Sequence, residues 1–415
     1  MLAGCGGDTK AIGNVGYVKG FTGLVAADEP RAALAARDVL SAGGTAADAA
    51  TSLYFSLAVT LPSTASLGGG GSCVVYSRDS GAPGAEVIDF HAPAAGGAGT
   101  LPVAVPANAR GMFLLQARYG RLRWESLLAG PERMAREGFT ITRALANDLA
   151  LAAPQLARDP QARRLFFRPD GRVMGEGDRL QNPDLAAVLA GLRYAPGDFY
   201  SGLTARTMVQ SAQKIGAGLR LADLEATHPR LKPATTVPFG NDLAVVPAAS
   251  AAVLARRGSD DGARTARHDG SAPGTGFVVM DSYGGAVACS FTANGLFGSG
   301  RMLPGAGFAL AAPPAEETAP AVAALVFNPH THEVHFAGTA TGGVSAAAAL
   351  ATAMVSAAEQ GQPAGQAIAA AAAGLPPGAA SRMEAFTCAS GPPDNSRCQV
   401  VTDPRGFGYA MAIGQ

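Results

Sequence analysis

The stretch that decides the fold is Phe277-Val278-Val279-Met280-Asp281-Ser282-Tyr283-Gly284-Gly285-Ala286-Val287-Ala288-Cys289-Ser290-Phe291, continuing Thr292-Ala293-Asn294-Gly295-Leu296-Phe297-Gly298-Ser299-Gly300. Two short apolar runs, Phe277–Asp281 and Ala286–Phe291, read as buried strands. Downstream, Gly307–Leu310, Ala323–Phe327 and Val334–Ala337 also read as β. Ala-rich helices are expected over 344–359 and 364–373, and two last strands over 398–402 and 407–413.

Upstream, the opening third reads helix, helix, strand, strand. Asp28 is placed to cap a helix starting near Pro30 and ending at Gly43-Gly44. Thr45 and Asp48 have the spacing of a capping box for a helix over 46–59. Strands follow at Cys73–Tyr76 and Glu86–Phe90. Residues 107–225 carry helical periodicity, with breaks expected at Gly120, Gly138, Pro154, Pro169-Asp170-Gly171 and Pro183. A strand returns at 242–247, and the polar, Gly-rich run 255–274 reads as an exposed loop. Helices on both sides of a largely β centre suggest stacked α and β layers rather than alternating βαβ units.

Composition narrows the class. The 415 residues carry 32 Lys plus Arg against 32 Asp plus Glu, which argues against an electrostatic nucleic-acid binder. Hydrophobic residues make up 48%, enough for a sizeable core. No run of about 18 apolar residues marks a membrane-spanning helix. Five cysteines are too few for a disulfide scaffold in so long a chain. Cys388 and Cys398 flank a turn-forming run and are candidates for a local disulfide in an oxidising compartment, whereas Cys73 and Cys289 read as buried thiols. Leu2-Ala3-Gly4-Cys5 resembles the bacterial lipobox, making Cys5 a lipidation candidate. On that reading the protein is tethered by acyl chains in the periplasm or cell envelope; if the match is chance, it is cytoplasmic.

A family resemblance now joins these pieces. Ala26-Ala27-Asp28, Ala42-Gly43-Gly44-Thr45-Ala46-Ala47-Asp48-Ala49-Ala50 and Leu67-Gly68-Gly69-Gly70-Gly71 resemble the start of γ-glutamyltransferases, the glutathione hydrolases. Val103-Ala104-Val105-Pro106, Arg118-Tyr119-Gly120, Ala135-Arg136-Glu137-Gly138-Phe139, Gly177-Asp178-Arg179-Leu180, Asn182-Pro183-Asp184-Leu185 and Phe199-Tyr200-Ser201-Gly202 continue the likeness. So do Asp281 to Gly300 without a gap, Gly342-Gly343, and Asp403-Pro404-Arg405. The resemblance implies an α+β fold, the four-layer αββα sandwich of the N-terminal-nucleophile hydrolases. Its divisions would be a segment 1–20, a large-subunit-like region 21–255, a linker 256–274, and a small-subunit-like region 275–415. The family cuts its own chain once, and the freed Thr acts as nucleophile with its α-amine as base. Its substrate class is glutathione or another γ-glutamyl amide. It implies no cofactor.

The family's Thr-Thr-His motif is altered. Counting back from Asp281 without a gap sets Gly274 at the nucleophile, Thr275 at the second Thr and Gly276 at the His. One deleted residue instead makes Thr275 the nucleophile, with cleavage after Gly274. Both registers stay open, because a slip of one residue reverses side-chain direction unless a bulge or strand start absorbs it. The resemblance implies that Thr292 orients the nucleophile, Asn294 binds the substrate amino group, and Gly342 with Gly343 offers oxyanion donors. His91 stands where the family's Arg grips the substrate carboxylate, and lacks its bidentate fork. Glu316 corresponds to the carboxylate that binds the substrate amine. The paired serines of the family fall at Ala319-Pro320, and a helical stretch before the nucleophile is missing, leaving surface for an unknown protein partner.

Other patterns carry less. His330, His332 and His335 sit around an expected hairpin tip without the Cys or acid that would complete a metal site. Gly68 to Gly71 is followed by no Gly-Lys-Ser/Thr, so it reads as a strand entry and not a phosphate loop. Two functions therefore stand: a self-cleaving γ-glutamyltransferase-like amide hydrolase, or a catalytically decayed binding protein of the envelope.

Overall fold

The computed structural model describes residues 22–78, 84–247, 273–314, 322–342, 344–373, 382–389 and 398–414. Strand β1 (Gly23–Ala27) leads into helices α1 (Pro30–Ser41) and α2 (Ala46–Thr60), then strands β2 (Gly70–Tyr76) and β3 (Ala85–Phe90). The helical region holds α3 (Asn108–Tyr119), α4 (Trp124–Glu137), α5 (Arg143–Leu156), α6 (Pro160–Phe166), α7 (Pro183–Tyr194), α8 (Asp198–Ser201), α9 (Leu203–Lys214) and α10 (Leu221–Ala226). The small strands β4 (Phe139–Thr140) and β5 (Arg179–Leu180) pair within it. Next come β6 (Arg230–Pro233), β7 (Thr235–Phe239), β8 (Asp242–Val246), β9 (Gly274–Asp281), β10 (Ala286–Thr292), β11 (Val322–Phe327) and β12 (Val334–Thr341). Helices α11 (Val344–Met354) and α12 (Ala364–Ala373) precede β13 (Arg382–Cys388), β14 (Cys398–Thr402) and β15 (Tyr409–Ile413).

Seven strands form one antiparallel sheet in the order β15-β1-β9-β10-β2-β3-β6, and six form another, β14-β13-β12-β11-β8-β7. Alternation along the strands sorts side chains between layers. Val278, Met280, Ala286 and Ala288 meet Ala323, Leu325, Ala337 and Phe386 between the sheets. On the outer face of the first sheet, Phe277, Val279, Val287 and Phe291 pack beneath the large helical layer. The second sheet's outer face packs on α11 and α12 through Phe336, Ala340, Leu350 and Ile368. The four layers are α, β, β, α, as expected.

Several local expectations are corrected. The cap of α1 is Glu29, not Asp28: Pro30 holds its predecessor extended (φ −133°, ψ 123°), and the Glu29 carboxylate accepts from Ala32 N. Pro154 does not break a helix; it lies inside α5. Gly307–Leu310 makes only isolated bridges from Leu310 to Gly68 and from Ala309 to Met302. The helix expected over 344–359 changes at Val355 to a π-helical turn that runs to Glu359. Strands β1, β6, β7 and β13 carried no recognised signal. The capping box of α2 forms, with Thr45 and Asp48 satisfying each other's backbone.

Cys73 and Cys289 are not thiols. Register pairs them directly across β2 and β10, and they form a disulfide with both residues fully buried. Cys388 and Cys398 face each other across β13 and β14 and are also joined.

The glycines at the start of β2 hold a packing position. A Cβ at Gly71 would lie 2.2 Å from the Ser290 carbonyl oxygen of the neighbouring strand. Backbone cannot yield as a flexible side chain does, so Gly71→Ala is expected to cost about 3 kcal/mol. The shift in the urea midpoint measures it; a variant within 0.5 kcal/mol of the parent, about the spread of an ordinary surface substitution, would show that β2 moves freely there.

Candidate functional site

One end of the first sheet gathers most of the expected residues. Register runs a row across it: Gly274 in β9 faces Thr292 in β10, and Thr292 faces Gly70 in β2. His91 follows β3 beside Gly70, whose position a Cβ could not occupy without coming within 2.8 Å of the His91 carbonyl carbon. From the second sheet, the Thr341 hydroxyl donates to the Gly274 carbonyl at 3.3 Å, and Gly342 follows with φ of 117°. Thr275, Thr292, Asn294, His91 and Gly342 thus lie around the start of β9. Gly343, Glu316 and Cys5 lie outside the described residues, as do residues 256–272 of the expected linker.

The hydroxyls do not meet as the resemblance implied. Thr275 pairs with Phe291, not Thr292, and by strand alternation its side chain leaves the sheet on the opposite face from that of Thr292. Its hydroxyl, fully buried, donates to Asp28 Oδ2 at 2.8 Å. Thr292 instead donates to the Pro273 carbonyl at 3.0 Å and accepts from Asn294 N–H at 2.9 Å. Asn294, in the left-handed region with φ of 57°, donates its side-chain amide to the Ala312 carbonyl. The position that faces Thr292 is Gly274, which has no hydroxyl. The strand pairing thus sets Gly274, and not Thr275, opposite Thr292.

Next to this row lies a buried polar cluster that the sequence reading did not find. Glu384 in β13 accepts from the Thr339 hydroxyl at 2.6 Å through Oε2 and is fully buried. Its other oxygen meets no N–H or O–H donor. Burial, and after it the adjacent carboxylate of Asp28, push Glu384 well above the carboxylate range, which favours its protonated form. Gly276 sits against this pair: a Cβ there would approach Thr339 Oγ1 to 2.5 Å and Glu384 Oε2 to 3.1 Å. The space beside Gly276 is filled by Thr339 and Glu384. Arg382, two residues along β13, donates to Asp148 Oδ1 at 2.8 Å, and Ser63 donates to Asp148 Oδ2 at 2.7 Å. Glu384 shares its strand phase with Phe386, an inward signal that could have been read had β13 been recognised.

His91 is held by Asp89, with Nδ1 to Oδ1 at 2.6 Å, and Lys232 pairs with the same carboxylate. These partners hold Asp89 well below its ordinary range against the opposing effect of burial. His335 pairs with Asp242 at 2.7 Å, and no metal-binding cluster of His, Cys and acids exists among the described residues.

The proton on Glu384 has a pH consequence. Between the ordinary carboxylate value and its raised folded value, the folded state binds a proton that the unfolded chain has released. Stability is therefore fully present below the unfolded pKa and falls as pH rises. Asp281, pushed to about 6 by burial against three backbone N–H donors, contributes the same sign below pH 6. Glu384→Gln, which removes this titration, is expected to flatten the fall of stability with rising pH. Melting temperatures at pH 6.5, 7.5 and 8.5 test this; parallel profiles for the two proteins would refute it.

The comparisons with known proteins agree on a lineage. The family description "Gamma-glutamyltranspeptidase" matches residues 32–256. Glutathione hydrolase 3 of Arabidopsis thaliana is 30% identical over 235 residues, 53% of this chain and 36% of that one. The glutathione hydrolase proenzyme of Escherichia coli is 28% identical over 226 residues, 50% of this chain and 39% of that one. The chain thus spans well under half the length of these relatives. Among solved structures, cephalosporin acylase from Bacillus halodurans superposes with a TM-score of 0.74 at 16% identity, covering 95% of this chain and 96% of that one. Helicobacter pylori gamma-glutamyltranspeptidase gives 0.51 at 22%, covering 56% and 72%. At these identities the structures speak for the fold alone.

Proposed function

The chain belongs to the gamma-glutamyltranspeptidase family, and on that premise we propose that it uses the family's cleft as an uncut binding protein. The observation that carries this reading is that Gly274 stands opposite Thr292. N-terminal-nucleophile chemistry needs a hydroxyl and a free α-amine on one residue. Gly274 could supply only the amine. Thr275 has the hydroxyl, but on the other face of the strand and fully buried.

The ligand class is a γ-glutamyl or related amide, held near Thr292, Asn294, His91 and Gly342. His91 in place of Arg offers a carboxylate one ring nitrogen instead of a fork, so affinity is expected to be modest. Two disulfides support an oxidising compartment, and with it the periplasm or cell envelope, where acylation of Cys5 would tether the chain. No helix among the described residues is long and apolar enough to cross a membrane.

A second reading, a self-cleaving γ-glutamyltransferase-like hydrolase acting through Thr275, is supported by the family match and its glutathione hydrolase relatives, and by one observation in the structure. Asp28 accepts from its hydroxyl at 2.8 Å, where a carboxylate could take a proton from an attacking oxygen. In that reading the Gly274–Thr275 bond is cut and the new α-amine joins Asp28 beside the hydroxyl.

Intact mass after long incubation separates the two. A single uncut chain is expected. Two pieces meeting at Gly274–Thr275, absent in Thr275→Ala, would establish the catalytic reading and justify a γ-glutamyl amide assay.

A further inference from the structure

Far along the chain from the β9–β10 row, the end of α6 and the turn after it enclose a hollow of about 590 Å³. Pro160, Arg163, Arg164, Phe167, Arg168 and Pro169 line it, and no acidic side chain does. Arginine side chains gathered at one space repel one another and gain from an anion between them.

The carboxylates of the neighbourhood are already engaged. Asp159 caps α6 by accepting from Ala162 N–H at 2.8 Å and pairs with Arg301 at 3.6 Å. Asp170 pairs with Arg172 at 2.7 Å. Asp178 accepts from Arg168 at 2.6 and 2.8 Å, outside the lining. Arg163 and Arg164, both exposed, line the hollow and have no ion-pair partner among the described residues, so their charge there is uncompensated.

The geometry points to a binding site for a multiply charged phosphate. Arg163 and Arg164 supply unengaged forks that match phosphate oxygens bidentately, and Arg168, oriented by Asp178, adds a third positive charge. Phe167, Pro160 and Pro169 form an apolar wall suited to the carbon part of a phosphate ester. The same chemistry is offered by a free phosphate compound and by a phospholipid headgroup.

The test uses the full-length chain and inorganic pyrophosphate, titrated by calorimetry at constant ionic strength with sodium chloride as the control. Saturable binding is expected, weakened about tenfold or more in Arg163→Ala/Arg164→Ala. It should be unchanged in Arg133→Ala, an exposed arginine elsewhere. The melting temperature of the double variant reports on folding, and Arg163→Lys/Arg164→Lys, which keeps charge without the fork, should retain part of the affinity. Sedimentation with phosphatidylglycerol vesicles, against phosphatidylcholine, then separates the sources. Pyrophosphate binding without vesicle binding assigns a free phosphate, and both together assign a headgroup. No pyrophosphate binding beyond the chloride control, or binding that survives the double variant, overturns the site.

Discussion

Cys73→Ala/Cys289→Ala is expected to lower the stability of the folded chain by about 5 kcal/mol. The disulfide joins residues 216 apart in sequence. In the chain-entropy account, a cross-link over so long a loop removes more freedom from the unfolded chain than one over a short loop. Alanine is chosen because a serine hydroxyl would enter the apolar layer beneath the helices without a partner. The internal control is Cys388→Ala/Cys398→Ala, which opens a separation of only 10. That pair is expected to cost about 3 kcal/mol by the same account. Guanidinium unfolding of both double variants tests the ordering. Equal losses, or a larger loss for the short loop, would mean that native packing and not loop entropy sets the effect. The bond also ties β2 to β10 three residues from the Gly70–Thr292 pair, so its loss should loosen the row where the ligand is placed.

The second large effect is expected at Asp148. Its carboxylate is 1% exposed, and it holds both Arg382 and Ser63. Asp148→Ala leaves the Arg382 guanidinium in a poorly hydrated place with its direct partner gone, at about 3 to 5 kcal/mol. Burial by itself would lower the pKa of Arg382, but Asp28 and Asp148 outweigh it and hold the group above its ordinary value. The charge therefore stays, and the loss cannot be relieved by deprotonation. Adding Arg382→Met removes the stranded charge, and the double variant is expected to recover part of the loss. A double-mutant cycle by urea unfolding measures the coupling. Additive effects would show that Asp28 alone suffices to hold Arg382, and would detach α5 from the polar cluster.

How much of this was legible beforehand depends on whether the signal was local. The strands β9 and β10 were readable because buried strands are short apolar runs, and the capping box of α2 because its two partners lie three residues apart. Asp28 was misread as a cap for the same reason. It stands before a proline-started helix, and a local rule applies there, but Glu29 takes the cap and frees Asp28 to reach Thr275, 247 residues away. Glu384 was missed because β13 was missed, and a lone acid in an apolar run has no meaning until its neighbours are known. The two cysteines of the long disulfide sit in apolar runs that look like any core strand; only pairing of β2 with β10 sets them face to face.

By itself, the sequence carried the family resemblance and, through it, the expectation of four layers; it left Gly274 and Thr275 as alternatives for the nucleophile position. Hydrophobic period by itself reached only stacked α and β layers; the rest is what the resemblance implies. The tertiary structure alone decided that Thr292 stands against Gly274 and Phe291 against Thr275. It also decided that Gly276 borders Thr339 and Glu384, and that Asp28, Glu384, Arg382 and Asp148 form one buried cluster. Hydrophobic burial is non-directional and leaves its trace in composition and period. Hydrogen bonds and charge pairs depend on ångström distances between residues far apart in the chain, and those distances exist only once the sheets have stacked.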